Sequence, residues 1–232
     1  MIPLRDDNPT RHFPWLTVTL IAANLAVFLY EVSLDPAALQ ALWSQWAFVP
    51  ARFLADPFSP FEITTIFSAM FLHAGWVHVI GNMLYLWIFG NNIEDRLGPL
   101  RFMLFYLTCG IAAALAQAFA TPGAMVPTIG ASGAVAGVLA AYLLLYPGAS
   151  VVTIIPVFVF IQVARVPAFL VIGFWFVLQL GSGLASLGAG MADTGGVAWF
   201  AHIGGFVAGL LLAALPAVHA RRVSRRNGRI YR

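Results

Sequence analysis

Gly130-Ala131-Ser132-Gly133-Ala134 opens an apolar segment that continues to residue 146 without a charged side chain. A second apolar segment, 70 residues further on, carries a histidine within Ala201-His202-Ile203-Gly204-Gly205. A serine hydroxyl is a weak nucleophile unless a neighbouring base accepts its proton, and histidine titrates near neutral pH. Ser132 and His202 could therefore form a nucleophile–base pair if the fold packs the two segments together.

The composition of the chain is that of a polytopic membrane protein. Of its 232 residues, 61% are hydrophobic and 9% are charged, whereas soluble domains carry roughly 25% charged residues. So few charges cannot cover a soluble globule, and much of the surface is expected in lipid. The single Cys109 excludes an internal disulfide framework. Nucleic-acid binding is not expected, because the only basic cluster is the short tail at 221–232.

Hydrophobic runs predict an all-α fold, a six-transmembrane-helix bundle with a long structured first outer loop at 33–62. The predicted spans are residues 13–32, 76–90, 99–120, 132–146, 168–187 and 196–218. The fourth span has about 15 residues and so measures about 22 Å, less than the ~30 Å hydrocarbon core. Ser132 is therefore expected part-way down the membrane, at the floor of a water-lined pocket, because irregular backbone at that depth needs polar surroundings.

Segments between the spans carry further expectations. Asp35-Pro36 is a helix start, and the apolar face that follows it favours either a helix in the membrane interface or a loop packed on the spans. Residues 151–163 are too few to span the bilayer, so we expect a re-entrant or surface segment. The glycine-rich residues 181–196 are expected to form a flexible connection.

The distribution of arginine predicts the orientation of the chain. Six of the twelve basic residues lie in 221–232, and six spans would put both termini on one side of the membrane. The positive-inside rule makes that side cytoplasmic. The predicted organisation is a cytoplasmic N-terminal segment at 1–12, a membrane domain at 13–218 and a basic cytoplasmic tail at 219–232.

Two further polar residues in the second predicted span are candidates for chemistry. His78 and Asn82 lie four residues apart, and so on one face of a helix, and both can donate hydrogen bonds to an oxyanion. The backbone N–H of Ser132, at the positive end of its helix, could add a third donor. Small residues in Gly133-x3-Gly137 and Gly205-x3-Gly209 would let the fourth and sixth helices approach closely.

Each of these residues also has a purely structural interpretation. Ser132 could be a small packing residue, and the polar side chains could be hydrogen-bonded to neighbouring helices. A metal site of His73, His78 and His202 is another interpretation, although no carboxylate or cysteine accompanies them within the membrane. The serine does not lie in the Gly-x-Ser-x-Gly elbow of α/β-hydrolases.

Taken in order, the motifs resemble those of the rhomboid intramembrane serine proteases. The matching elements are Gly130-Ala131-Ser132-Gly133, Ala201-His202-x-x-Gly205-x-x-x-Gly209, His73-x4-His78-x3-Asn82 and Gly90-x3-Glu94-x3-Gly98. They follow the family's order on a six-span frame, over roughly residues 13–218. Each motif is weak alone, whereas the ordered set is highly specific.

The resemblance implies a role for each matched residue. Ser132 would be the nucleophile, and His202 would be the general base and then the general acid, with no carboxylate required to orient it. His78, Asn82 and the backbone N–H of Ser132 would form the oxyanion site, and Gly130 would support the turn that presents it. The remaining matched residues would be structural: Glu94, which ties helix ends together, Gly205 and Gly209.

The function implied is hydrolysis of peptide bonds in or near the transmembrane segment of single-pass membrane proteins. Such substrates and the lipid bilayer are the expected partners, no metal or organic cofactor is expected, and the oligomeric state is unknown. Compactness and the resemblance suggest the inner membrane of a bacterium. The flexible connection at 181–196 is expected to admit substrate beside the fifth span. Two alternatives are a non-proteolytic rhomboid-like protein that binds transmembrane helices and a small transporter whose histidines relay protons.

Two positions depart from the family's pattern. Many members carry an aromatic residue one turn after the serine, against the histidine, where this chain has Ala136. Many also carry Trp-Arg in the first outer loop, where Phe61-Glu62 occupies the corresponding place. Either another group is therefore expected to hold the His202 ring, or the orientation of the ring is looser.

Overall fold

The computed structural model describes residues 1–157, 160–188 and 198–215. Within these residues the fold is mostly helical, with one small sheet. By length and composition, two helices, Trp15–Ser33 and Pro99–Ala120, are able to cross a membrane, and a pair bent by 85°, Pro60–Phe71 with Trp76–Leu97, could supply a third. A mostly helical membrane protein is therefore confirmed, whereas the count of six spans stays a prediction.

The helices follow the predicted spans closely in the first half of the chain. In chain order they are α1 Trp15–Ser33, α2 Pro36–Trp46, α3 Pro50–Ala55, α4 Pro60–Ser68, α5 Trp76–Tyr85, α6 Asn91–Leu97, α7 Pro99–Ala120, α8 Ser132–Leu145, α9 Ala168–Gly188 and α10 Trp199–Ala213. A 3₁₀ turn, Ala69–Phe71, follows α4, and a π-helical turn, Leu86–Gly90, joins α5 to α6. Helix α7 coincides with the third predicted span.

Helix α8 lies at the centre of the bundle. Every residue from Gly133 to Tyr142 is buried. Helix α10 packs directly on it, because a Cβ on Gly205 would collide with the carbonyl group of Gly133, and a Cβ on Gly209 with that of Gly137. Only glycine permits backbones to approach this closely, and close approach maximises dispersion contacts between the helices.

The second predicted span does not end near Gly90, contrary to the sequence expectation. The π-helical turn carries the helix through Gly90 into α6, which ends at Leu97. Gly98 then adopts a φ of +78°, a left-handed conformation that glycine adopts without steric cost. The stop signal is therefore Gly98, eight residues later than the sequence interpretation placed it.

Glu94 ties α6 to the start of α1, as the resemblance implied. Its Oε2 atom accepts hydrogen bonds from the backbone N–H and the hydroxyl of Thr17, at 2.7 and 2.8 Å. Its Oε1 atom accepts the N–H of Leu16 at 2.9 Å. The first N–H groups of a helix lack partners within the helix, so the buried carboxylate caps α1.

The segment at 151–163, expected to be re-entrant or at the surface, forms strands, so the all-α expectation is wrong on this point. It belongs to an antiparallel hairpin of β2 Ser150–Val157 and β3 Phe160–Pro167, and β1 Ile2–Asp6 pairs with β2 to give the order β1-β2-β3. Its β-branched residues favour strands. Pro156 lies beyond the last residue of β2 that pairs with β1, so its missing N–H leaves no gap in that ladder.

The sheet is fastened to the C-terminal end of α8, far from Ser132. Asp6 accepts hydrogen bonds from the Tyr142 hydroxyl at 2.7 Å and from the Asn92 amide at 2.8 Å. The amide of Asn8 donates to the same tyrosine oxygen at 2.6 Å. Burial raises the pKa of the Asp6 carboxyl, although the hydrogen bond from Tyr142 opposes part of that shift.

Helices α2–α4 give the segment between α1 and α5 a defined structure. The Asp35 carboxylate accepts the N–H of Ala38 at 2.9 Å, which confirms the predicted helix start. On α3, the guanidinium of Arg52 lies 5.3 Å from the ring centroid of Phe61, and its Nε atom lies 2.6 Å from Glu62 Oε1. Arg52 thus supplies, from α3, an arginine beside Phe61-Glu62.

The last two predicted spans are only partly described. Residues 181–188, expected in a flexible connection, continue α9 instead. Residues 189–196 of that connection and the basic tail lie outside the described residues. The sixth predicted span corresponds to α10, which begins at Trp199.

Candidate active site

Ser132 and His202 meet at the buried end of α8. Ser132 is the first residue of α8, and its Oγ lies 2.7 Å from Nε2 of His202 on α10. The imidazole is 6% exposed. The contact depends on the glycine-mediated approach of α8 and α10, because a wider separation would move the two side chains out of hydrogen-bond range. The structure therefore brings the predicted pair together.

A residue that the sequence analysis missed holds the other side of the imidazole. His202 Nδ1 lies 2.7 Å from Gln179 Oε1, a side chain of α9. A glutamine carbonyl oxygen can only accept a hydrogen bond, so in this geometry Nδ1 carries the proton and Nε2 is left to accept the Ser132 proton. The available signal was an isolated polar residue in an apolar run, which is costly in a bilayer unless it serves a purpose.

Aromatic rings from two other elements replace the one that Ala136 lacks. The ring of Trp175, on α9, lies with its centroid 5.7 Å from that of His202. The ring of Trp199, at the start of α10, lies at 6.3 Å and nearly perpendicular. Ala136 itself is fully buried. The expectation that another group holds the ring is therefore confirmed, and the groups are Gln179 and these tryptophans.

The N-terminus of α10 is fixed by a glutamine on α7. The N–H of Ala201 donates to Gln117 Oε1 at 3.2 Å, and the Gln117 amide nitrogen donates to the Thr121 hydroxyl at 3.1 Å. The same N–H also donates to the carbonyl group of Ala198 at 3.1 Å, so Gln117 adds a second acceptor in the first turn of the helix. Because Ala201 precedes His202, this contact also sets the position from which the imidazole projects.

His78 and Asn82 face the turn that leads into Ser132. A Cβ on Gly130 would lie 2.6 Å from His78 Nε2 and 3.6 Å from Asn82 Nδ2. Gly130 adopts a φ of +121°, and its N–H donates to the carbonyl group of Ala69 at 2.8 Å. The structure therefore places the backbone before Ser132 next to both predicted hydrogen-bond donors, His78 and Asn82.

His73 supports Asn82 rather than joining the reactive groups. Its Nε2 lies 3.0 Å from Asn82 Nδ2 and accepts a hydrogen bond, since the amide nitrogen can only donate. Its backbone N–H donates to Glu31 at 3.0 Å, and the Trp43 indole donates to the same carboxylate at 2.7 Å. This chain of contacts orients the Asn82 amide through His73.

The three-histidine metal site is not formed. Over the part of the chain that the structure describes, no three His, Cys, Asp or Glu side chains lie close enough to hold a metal ion together. His73 is hydrogen-bonded to Asn82, and His202 is hydrogen-bonded to Ser132 and Gln179.

Comparison with known proteins identifies the family. Residues 60–217 match the family model of the rhomboid domain, a stretch that contains Ser132, His202, His78 and Asn82. The chain belongs to the rhomboid family. Rhomboid membership, expected from the ordered motifs, is confirmed.

Curated rhomboid relatives match over most of this chain. RHOMBOID-like protein 1 of Arabidopsis thaliana is 27% identical over 224 residues, covering 86% of this chain and 52% of the relative. Rhomboid protein 1, mitochondrial, of Saccharomyces cerevisiae is 28% identical over 200 residues, covering 84% and 51%. The human Presenilin-associated rhomboid-like protein, mitochondrial, is 32% identical over 149 residues, covering 62% and 37%. This chain therefore spans about half the length, or less, of these rhomboid proteins.

The expected location in a bacterial inner membrane is wrong. The three rhomboid relatives above are eukaryotic proteins, and two of them are named as mitochondrial. These relatives point to organellar membranes. The sequence assignment relied on compactness and on the family resemblance, and neither distinguishes one membrane from another.

Proposed function

We propose that this rhomboid protein is an intramembrane serine endopeptidase. The single observation that carries the proposal is the 2.7 Å contact between Ser132 Oγ and His202 Nε2. A hydroxyl and an imidazole at this distance are the groups needed for nucleophilic catalysis, and here the second imidazole nitrogen is also held by a hydrogen bond. The family match supports the assignment without specifying activity.

In the proposed reaction, Ser132 Oγ attacks the carbonyl carbon of the scissile peptide bond as its proton passes to His202 Nε2. The imidazolium then donates that proton to the departing amine, and an acyl-enzyme remains. Water, activated by the same imidazole, attacks the ester and releases Ser132. No metal or cofactor enters any of these steps.

The oxyanion of the tetrahedral intermediate would be stabilised by three donors beside Gly130. His78 accepts the Ala74 N–H at Nδ1, at 3.4 Å, which leaves its Nε2 proton directed to the site. Asn82 uses one N–H for His73 and has a second to donate. The N–H of Ser132 opens α8, where backbone donors have no partner within the helix. Removing one such donor typically lowers kcat by about 10²–10³-fold.

The proposed substrates are membrane proteins cut in or near a transmembrane segment. A helix must unwind before its peptide carbonyl can reach Ser132, so helix-breaking residues near the cleavage position would favour a substrate. A small residue at that position would fit beside the closely packed start of α8. Lipid contact with the bundle follows from its apolar surface, and a six-span frame of residues 13–218 remains part of the proposal.

The first test is labelling with a fluorophosphonate probe, which reacts with activated serines, combined with cleavage of a single-pass model substrate in detergent. We expect wild type to label and to cleave, and both Ser132→Ala and His202→Ala to lose label and at least about 10⁴-fold in kcat. Ser44→Ala is the matched control, because Ser44 is exposed and donates only to Gln40 within its own helix. It should label as wild type does.

The outcomes separate the alternatives. Equal labelling of all four proteins would reject the Ser132–His202 pair. Absence of labelling and of cleavage for folded wild type, with retained binding of transmembrane peptides, would instead favour a rhomboid-like protein that binds helices without cutting them.

A further inference from the structure

We propose that Gln179 is a positioning residue that selects the reactive tautomer of His202, so that catalysis requires α9 to be seated against α10. The inference deepens the proposed function and rests on it. Its basis is the 2.7 Å contact between Gln179 Oε1 and His202 Nδ1, on the side of the imidazole opposite Ser132.

The tautomer decides whether His202 can act as a base. A neutral imidazole carries one proton, and it can accept the Ser132 proton only if Nε2 is the bare nitrogen. The Gln179 carbonyl oxygen accepts from Nδ1 and thereby favours the proton there. Rotation of the amide by a half-turn would present its NH₂ group to Nδ1, which favours the proton on Nε2 and blocks the reaction.

Helix α9, which carries Gln179, is anchored at its N-terminal end. Its first residue, Ala168, donates its N–H to Ala149 at 2.9 Å, and Val171 and Ile172 are buried. Gln179 lies 11 residues beyond Ala168, which is about 16 Å along the helix axis. Val177, close to Gln179, is 64% exposed. The position of Gln179 therefore depends on contacts made further along α9 than these first turns.

A stacked aromatic pair adds to the Trp175–His202 contact in seating this part of α9 on α10. The rings of Phe176 and Phe206 stack with centroids 4.2 Å apart and an interplanar angle of 25°. Phe176 lies one turn before Gln179, so loss of this contact would let the amide move away from Nδ1. A hydrogen bond ceases to contribute beyond about 3.5 Å, so a shift of about 1 Å is sufficient.

The experiment compares Gln179→Met, which keeps the side-chain length without a comparable acceptor, with Gln179→Glu, which can only accept. We expect Gln179→Met to lower kcat by about 10-fold or more, with KM within about twofold, because the base rather than substrate binding is affected. Gln179→Glu should keep activity at alkaline pH. Its acid limb in the kcat/KM–pH profile should move to higher pH by about one unit, because a carboxylate favours the imidazolium.

Val177→Ala is the matched control on the same helix, and it should match wild type in kcat and pH profile. Phe176→Ala tests whether the role of Gln179 depends on the packing of α9 against α10. It is introduced both into wild type and into Gln179→Met. It should lower kcat when Gln179 is present and cause no further loss beside Gln179→Met, as expected for two changes that act through one contact.

Three results would overturn the inference while the proposed function stands. The first is a kcat of Gln179→Met equal to that of wild type. The second is a Gln179→Glu pH profile that coincides with that of wild type. The third is a kcat loss in the Phe176→Ala/Gln179→Met double variant that equals the sum of the two single losses in free energy. If Gln179→Met does not fold, the Gln179→Glu profile still decides. Failure of wild type to label or cleave would instead reject the proposed function itself.

Discussion

At the scale of single residues, the backbone at Gly130 shapes the candidate site. Its φ of +121° lies where side chains are rarely tolerated, and the missing Cβ leaves the space that faces His78 Nε2. The same residue donates its N–H to Ala69. A single glycine thus turns the chain into α8 and leaves open the space beside His78 and Asn82, the proposed oxyanion donors.

Gly130→Ala should therefore lower both stability and activity. We expect a loss of about 1–3 kcal/mol in the free energy of unfolding from backbone strain, and a fall in kcat because the added methyl group lies 2.6 Å from His78 Nε2. Thermal unfolding in detergent and the rate of fluorophosphonate labelling measure the two effects.

Gly123→Ala is the control for Gly130→Ala, since a Cβ on Gly123 meets nothing within 4 Å in the same connection. It should leave the labelling rate unchanged. If Gly130→Ala is labelled at the wild-type rate, the space beside His78 is not needed for the reaction.

At the scale of elements, the α8–α10 contact determines whether the serine and histidine can meet. A Cβ on Gly205 would collide with backbone atoms of Gly133, and backbone cannot move aside as a flexible side chain can. The helices would have to separate, and Ser132 is adjacent to the point of collision. The packing of α8 against α10 therefore sets the geometry of the serine and the histidine.

Gly205→Ala should destabilise the protein by about 2 kcal/mol or more through overpacking, despite the roughly 1 kcal/mol gain in helix propensity. It should also abolish labelling of Ser132. Gly173→Ala, in α9, is the matched control, because nothing lies within 4 Å of its added Cβ. The measurements are the unfolding temperature and labelling, and equal behaviour of the two variants would contradict the proposed role of the interface.

At the scale of the whole molecule, the three-stranded sheet fastens the N-terminal strand to the end of α8 remote from Ser132. Asp6 is central to this contact, since it accepts from both Tyr142 and Asn92. Its carboxyl has a pKa raised above 3.8 by burial. The folded state therefore binds this proton more tightly than the unfolded chain does.

The sign of the pH dependence follows from that shift. The contribution of Asp6 to stability is fully present below pH 3.8 and is lost as pH rises through its higher folded-state pKa. Asp6→Asn keeps an acceptor for Tyr142 and carries no charge. We expect its unfolding temperature to fall less than that of wild type between acid and neutral pH.

Asp56→Asn removes the same charge at an exposed position away from the sheet, so it controls for net charge. Unfolding scans at several pH values compare the three proteins. If the unfolding temperature of Asp6→Asn falls more between acid and neutral pH than that of Asp56→Asn, the expected sign is contradicted.

The sequence by itself determined the membrane class, the family, and the helices α1 and α7, because each rests on local composition or on an ordered set of motifs. It also predicted Ser132, His202, His78 and Asn82, since polar residues are costly in an apolar segment and few positions had to be considered. The small-residue spacing in α8 and α10 was sufficient to predict their contact.

Only the tertiary structure decided what surrounds those residues. Gln179 and Trp175 reach His202 from positions 23 and 27 residues away in sequence, and no local pattern connects them to it. The hairpin at 150–167 acquires a partner strand from the other end of the chain. Contacts between distant segments depend on how helices pack, and helix packing is set by the shapes of whole surfaces rather than by spacing along the chain.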